Sequence, residues 1–416
     1  VARLRQGAAV RPDSIGALVV LAALVVAGVV SSSSAFTPTG NPREVPVQPV
    51  DQNASNGLVG AMDALRIGKL AASWDELRAM PRPGQLGGPR SDLGWRGLID
   101  FADGRRAFRQ VFEPAQGLGP GFNERACANC HSHPNTGGGG PDMGVSVATV
   151  APPDDPRDTV GTQKYAIAGH KAQQIAATTP RRRTPPLYGI GLLDEVPDDA
   201  LKAHADPNDR DKDGISGVLN ERGHPAGGKR PARFGHKCNE PNLLRFIGAA
   251  LFGEMGVTNR ASRAAPKDKD KIKDPEAPVG YVARVDAFVR GLAPPPRGPI
   301  GPAERRGEKT FQVLGCTGCH KPRVGHVTGA YTDMLVHDLG TAVSDGLYDG
   351  KAGPTEWRTP ALWGLRHRKK YLHDERAASL DTVLAFHGGE AAETAGRYRK
   401  LGKRDAADLK AFLDSL

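Results

Sequence analysis

Cys127-Ala-Asn-Cys130-His131 and Cys316-Thr-Gly-Cys319-His320 set two thiols three residues apart with an imidazole directly after the second. C-x-x-C-H is the attachment pattern of c-type haem. The thiols add to the porphyrin vinyl groups, and the adjacent histidine reaches the iron as proximal ligand. One helical turn is enough to place both sulfurs along one porphyrin edge. With 5 Cys and 12 His in 416 residues, chance supplies only about 0.002 such matches per chain. A zinc knuckle would want further Cys or His at matched spacing, and a redox dithiol needs no following His. The two motifs therefore predict two covalent c-type haems, one on Cys127, Cys130 and His131 and one on Cys316, Cys319 and His320.

Outward from the motifs the chain repeats itself. Arg183-Thr184-Pro185-Pro186-Leu187-Tyr188-Gly189 returns as Arg358-Thr359-Pro360-Ala361-Leu362-Trp363-Gly364. Ala287-Phe288-Val289-Arg290-Gly291-Leu292 returns as Ala411-Phe412-Leu413-Asp414-Ser415-Leu416. Three features in the same order mean two copies of one structural unit. The first copy is longer, with a loop-rich insert between about 200 and 280. Leu409, Phe412, Leu413 and Leu416 share one helical face, as do Val282, Val285, Phe288 and Val289. No strand-like alternation stands out, so the expected fold class is mainly α, as two tandem units.

The proline-rich segment Gly291–Arg306 marks the boundary between the units, since it continues neither helix nor strand. The expected organisation is a signal peptide or membrane anchor at 1–35, a linker at 36–90, a first haem unit at 91–296 and a second at 303–416. The linker is rich in Pro, Gly and polar residues, with one short helix near Asp75–Met80. Arg3, Arg5 and Arg11 precede the apolar run Ile15–Val30 and then Ser31–Ala35, the order of an export signal. That order predicts a periplasmic protein, with residues 15–30 as a membrane anchor where the signal is not cleaved.

At 39% hydrophobic residues the chain is no polytopic membrane protein, and 52 Gly with 34 Pro favour short helices and long loops. The net charge of +10 lacks a dense basic run with interleaved aromatics, which argues against nucleic acid as a partner. The stretch Lys267–Lys271, with its alternating charges, reads as a solvated loop. The run Gly137–Gly140 lacks a following Lys-Ser/Thr and reads as a flexible connection.

The sixth iron position separates electron transfer from peroxide chemistry. Candidate ligands are His133, His170, His224, His236, Met255, Met334, His337, His373 and His387. Asp209-x-Asp211-x-Asp213-Gly214 is the first half of a calcium loop, although its twelfth position is Asn220 in place of Glu. Cys238 reads as a small buried residue.

Several further stretches resemble the di-haem oxidoreductase and peroxidase family (thiol-oxidoreductase-like), relatives of bacterial di-haem cytochrome c peroxidase. They are Gly117–Asn123, Gly189–Leu193, Asp211–Gly217, Phe252–Gly256, Tyr331–Asp338 and His387–Ala391. The resemblance implies two cytochrome c-like domains, one haem relaying electrons and the other meeting hydrogen peroxide. It also implies His387 as second ligand of the second haem and Glu254 as the acid–base group beside the first; an exposed loop histidine and a helix-terminal Glu are the plain alternatives. Where relatives place an inter-haem Trp-Asp-Gly, this chain reads Leu193-Asp194-Glu195, leaving Tyr188, Phe234 or Trp363 as substitutes. His236 stands where many relatives have Trp, either as a ligand to the first haem or as a surface exchange. The expected function is a peroxidase-like enzyme fed by a small electron-transfer protein or a redox complex, with hydrogen peroxide or another small molecule as substrate. The alternative is a di-haem electron carrier without substrate chemistry of its own.

Overall fold

The computed structural model describes residues 73–140, 145–149, 159–176, 178–223, 228–262, 268 and 270–416. The apolar run 15–30, most of the 36–90 linker and His224 lie outside the described residues. No helix among the described residues is long and apolar enough to cross a membrane.

Helix dominates the architecture. After α1 (73–79), at the expected short helix, come α2 (Trp95–Phe108), α3 (Cys127–Cys130), α4 (Ile190–Asp194), α5 (Asp198–Lys202) and α6 (Leu243–Met255). There follow α7 (Tyr281–Gly291), α8 (Pro302–Leu314), α9 (Leu380–Ala385), α10 (Ala392–Arg399) and α11 (Lys403–Asp414). The proline-rich connection ends one helix and starts the next: α7 stops at Gly291, and Pro302 opens α8 with its fixed φ. Glu304 Oε2 accepts the Gly301 N–H at 2.7 Å to cap that start.

Two helix pairs are built alike. α2 packs on α7, and α8 packs on α11. Each crossing closes over a glycine: a methyl at Gly104 would collide with the Arg284 carbonyl, and one at Gly307 with the Asp408 carbonyl. The repeated phenylalanine of the closing helix fills the same place in both pairs. Phe288 lies 4.9 Å from Phe108, and Phe412 lies 5.3 Å from Phe311. The sets expected to share a face, Val282, Val285, Phe288 and Val289 with Leu409, Phe412, Leu413 and Leu416, are all buried.

Five small antiparallel sheets of two or three strands accompany the helices among the described residues. Their strands run two to five residues, too short to show alternation in the sequence. The hairpin Val336–Asp338 with Glu356–Arg358 matters most, because it carries His337, Trp357 and Arg358. The insert does not stay with the first unit. Val218 exchanges two backbone hydrogen bonds with Val336 (2.9 and 3.0 Å), and Asn220 Nδ2 donates to the Asp349 carbonyl at 2.7 Å. A buried ion-pair cluster joins the same parts: Arg182 reaches Asp345 (2.7 Å) and Asp349 (2.6 Å), and Lys237 Nζ lies 3.2 Å from Asp345.

Candidate functional site

The first motif forms α3, and a half-buried imidazole follows it. His131 Nδ1 lies 3.1 Å from the Gly138 carbonyl, and the Pro185 backbone also hydrogen-bonds the ring. Burial holds the ring neutral, with its pKa down at about 4. Phe108 flanks His131 at 6.1 Å between centroids. The second motif repeats the arrangement. His320 Nδ1 lies 3.0 Å from the Tyr331 carbonyl, burial lowers its pKa to about 4, and Phe311 stands 6.3 Å away. A metal-ligating histidine needs a neutral ring, oriented through Nδ1 and open at Nε2. The glycine run read as a flexible connection thus supplies the carbonyl that orients His131.

Glu254 is brought to the first motif. It sits in the last turn of α6, and its charge acts on the Cys130 thiol. α6 ends there because Gly256 takes φ +75, and a side chain at Gly256 would strike the Gly119 carbonyl. The chain therefore lies flat against 119–123. Asn123, buried in that stretch, donates from Nδ2 to Glu254 Oε2 at 2.6 Å, and its own N–H reaches the Glu254 carbonyl at 2.7 Å. Burial pushes the Glu254 carboxyl up; the Asn123 hydrogen bond and Lys164 oppose this. Asn123 has a positioning role that the sequence did not reveal, although it closes the quoted stretch Gly117–Asn123.

A cavity of about 310 Å³ adjoins the second motif, lined by Cys316, Cys319 and His320 and by His387. His387 follows α9, and the Val383 carbonyl lies 2.8 Å from its Nδ1, leaving Nε2 free. Burial lowers its pKa. The donor set fits a haem: two thiols, a neutral oriented imidazole beside them, and a second free imidazole nitrogen on the same cavity. Beside Cys319, His337 is clamped between Asp333 (2.9 Å) and Glu390 (2.7 Å). The carboxylates and the Cys319 thiol outweigh the opposing burial and lift its pKa to about 12.

Other candidates fall elsewhere. His236 lines this same cavity, as do His133, Pro134 and Gly139 just after the first motif, with Nε2 2.9 Å from the Arg183 carbonyl and its pKa pushed down to about 3, mainly by burial. His373 stacks on Trp357 at 3.8 Å, and His170 is exposed. Met255 and Met334 lie in apolar cores. Of the three substitute aromatics, Tyr188 and Trp363 line the cavity, whereas Phe234 packs on Phe246 in the core around α2 and α7. Cys238 is buried, as expected, its thiol pushed up to about 12. Asp209, Asp211 and Asp213 converge within 4.8 Å. Asn220 is turned away, donating to the Lys237 (2.8 Å) and Asp349 carbonyls. Within the charged stretch Asp268, beside Asp274 and Glu276, and Asp270 are half-buried and Lys271 is exposed, while Lys267 and Lys269 lie outside the described residues.

Comparison with known proteins gives three findings. The family model described as "Di-haem oxidoreductase, putative peroxidase" matches residues 145–416. The methylamine utilization protein MauG of Methylorubrum extorquens is 32% identical over 130 residues, 28% of this chain and 35% of that protein. The chain thus spans about a third of the length of that curated relative. Among solved structures, the diheme peroxidase BthA of Burkholderia thailandensis is similar at a TM-score of 0.40 and 17% identity, over 76% of this chain and 85% of that one. Kuenenia stuttgartiensis hydrazine synthase is similar at a TM-score of 0.38 and 13% identity, over 92% of this chain and 99% of that one.

Proposed function

This chain belongs to the di-haem oxidoreductase family of peroxidase type, and from that membership we propose a periplasmic enzyme with two covalent c-type haems in unequal roles. The two helix pairs, each with its own motif, are read as tandem cytochrome c-like domains, 91–296 and 303–416. The haem on Cys316 and Cys319, with His320 and His387 as ligands, is the electron-relay site. The haem on Cys127 and Cys130, held by His131, is the substrate-facing site.

A haem with an open iron position supplies the activation of hydrogen peroxide when it is bound. The protein's own part is proton handling. Glu254, with Oε2 held by Asn123, presents Oε1 as the atom that takes a proton from one peroxide oxygen and returns it to the other.

The observation that carries the reading is the inequality of the two sites. A free imidazole nitrogen lies on the cavity of the second motif, and a half-buried carboxyl held by Asn123 lies beside the first. Electron paramagnetic resonance of the ferric protein tests it. One low-spin and one high-spin signal are expected, with His387→Ala converting the low-spin signal to high-spin. Two low-spin signals would favour the pure electron carrier, and an unchanged His387→Ala spectrum would remove His387 as a ligand.

The N-terminal charge and hydropathy order supports export, and the basic net charge suits an acidic electron-transfer protein as donor. A calcium ion at Asp209, Asp211 and Asp213 is the second cofactor reading, supported by their convergence. Metal analysis of protein purified without chelator decides it.

A further inference from the structure

The two Arg-Thr-Pro repeats do more than mark the duplication. Their leading residues, Arg183 and Arg358, come from the two halves and line the same cavity, where Arg368 joins them. Three guanidinium groups on one cavity repel each other, so their counter-charges have to be accounted for.

Arg183 is partly neutralised. Its Nε faces Glu375 Oε1 at 3.1 Å, and its Nη1 donates to the Lys370 carbonyl at 2.9 Å. Arg358 Nε donates to the Gly235 carbonyl at 2.9 Å, which satisfies a donor but cancels no charge. The Asp333 charge favours Arg358, yet Asp333 is already bound to His337. Arg368 is the most exposed to imbalance. No carboxylate pairs with it among the described residues, and its Nε is buried without a hydrogen-bond partner. Burial first, then Arg183 and Arg358, push it down to about 10, so it stays cationic at neutral pH. Glu390, on the same wall, is engaged by His337 and by the Ser216 N–H at 3.0 Å. A half-buried guanidinium whose Nε is desolvated without an acceptor is unfavourable. The cavity wall is therefore short of an anion, and the planar donor fork of arginine matches a carboxylate.

We propose that Arg183, Arg358 and Arg368 form a carboxylate seat in the cavity, taken by the propionates of the porphyrin on Cys316 and Cys319 or by a free carboxylate substrate. The first source rests on the haem reading above; the second does not.

The test uses the loaded full-length protein, wild type against Arg368→Met and Arg368→Lys. Intact mass first establishes two haems per chain, so a failure of the haem reading shows separately. Resonance Raman then reads the propionate-bending band of the low-spin haem, and acetate titration is followed in the Soret band. If propionates fill the seat, the band shifts in Arg368→Met and is largely restored in Arg368→Lys. If a free carboxylate fills it, acetate binds wild type saturably and Arg368→Met weakens its Kd at least tenfold. An unshifted band together with unchanged acetate binding overturns the seat. Should Arg368→Met fail to accumulate, Arg358→Met carries the same two readings, with Arg358→Lys as its restoring partner.

Discussion

At the scale of single residues, the proposed chemistry of the first site rests on Glu254 and Asn123. Glu254→Gln keeps the shape and removes the proton acceptor, so peroxide turnover should fall by about 10²–10⁴-fold with the optical spectrum unchanged. The pH dependence follows from the raised carboxyl. Folding binds the Glu254 proton more tightly than the unfolded chain does, so the carboxylate appears only above its ordinary value of about 4.3. Turnover should rise with pH through that raised pKa, and Glu254→Gln should flatten the rise. Stability runs the other way: this group's contribution is complete below about 4.3 and is lost as pH climbs through the folded pKa. Rate profiles and unfolding midpoints from pH 4 to 8 check both signs. The motif residues could be read in the sequence because covalent attachment demands an invariant spacing. Asn123 could not, because its role depends on a hydrogen bond to a residue 131 positions away.

Helices explain why the two halves look alike. Gly104 and Gly307 let the paired helices approach until Phe288 and Phe412 sit in the crossings, which in turn fixes Phe108 against His131 and Phe311 against His320. Gly307→Ala should destabilise the protein by about 1–3 kcal/mol through overpacking, and a comparable loss is expected at Gly104. Chemical unfolding measures it; an unchanged midpoint would mean the crossing tolerates a methyl. The closing helices were legible because their apolar residues recur at helical spacing over about two turns. The hairpin bearing His337, Trp357 and Arg358 was not, because three-residue strands leave no period to detect.

At the scale of the whole molecule, the halves are stitched together by the insert and by a buried charge cluster. Arg182, from the first half, holds Asp345 and Asp349 of the second. Arg182→Ala would leave buried carboxylates short of a partner, at a cost of about 3–5 kcal/mol seen as a lower thermal midpoint. No such loss would mean that Lys237 alone compensates Asp345. The duplication was legible in sequence order, but the joining of the halves was not. His236 shows why: it lies on a cavity lined from both halves, which position along the chain does not reveal.

Two porphyrins fixed through thioether bonds, one per motif, underlie every role given to His131, His320, Glu254 and His387. Intact mass of the purified protein after acid–acetone extraction tests this most directly. The account predicts a polypeptide that retains the mass of two haems. A polypeptide stripped to its bare mass, with colour passing into the solvent, would contradict it.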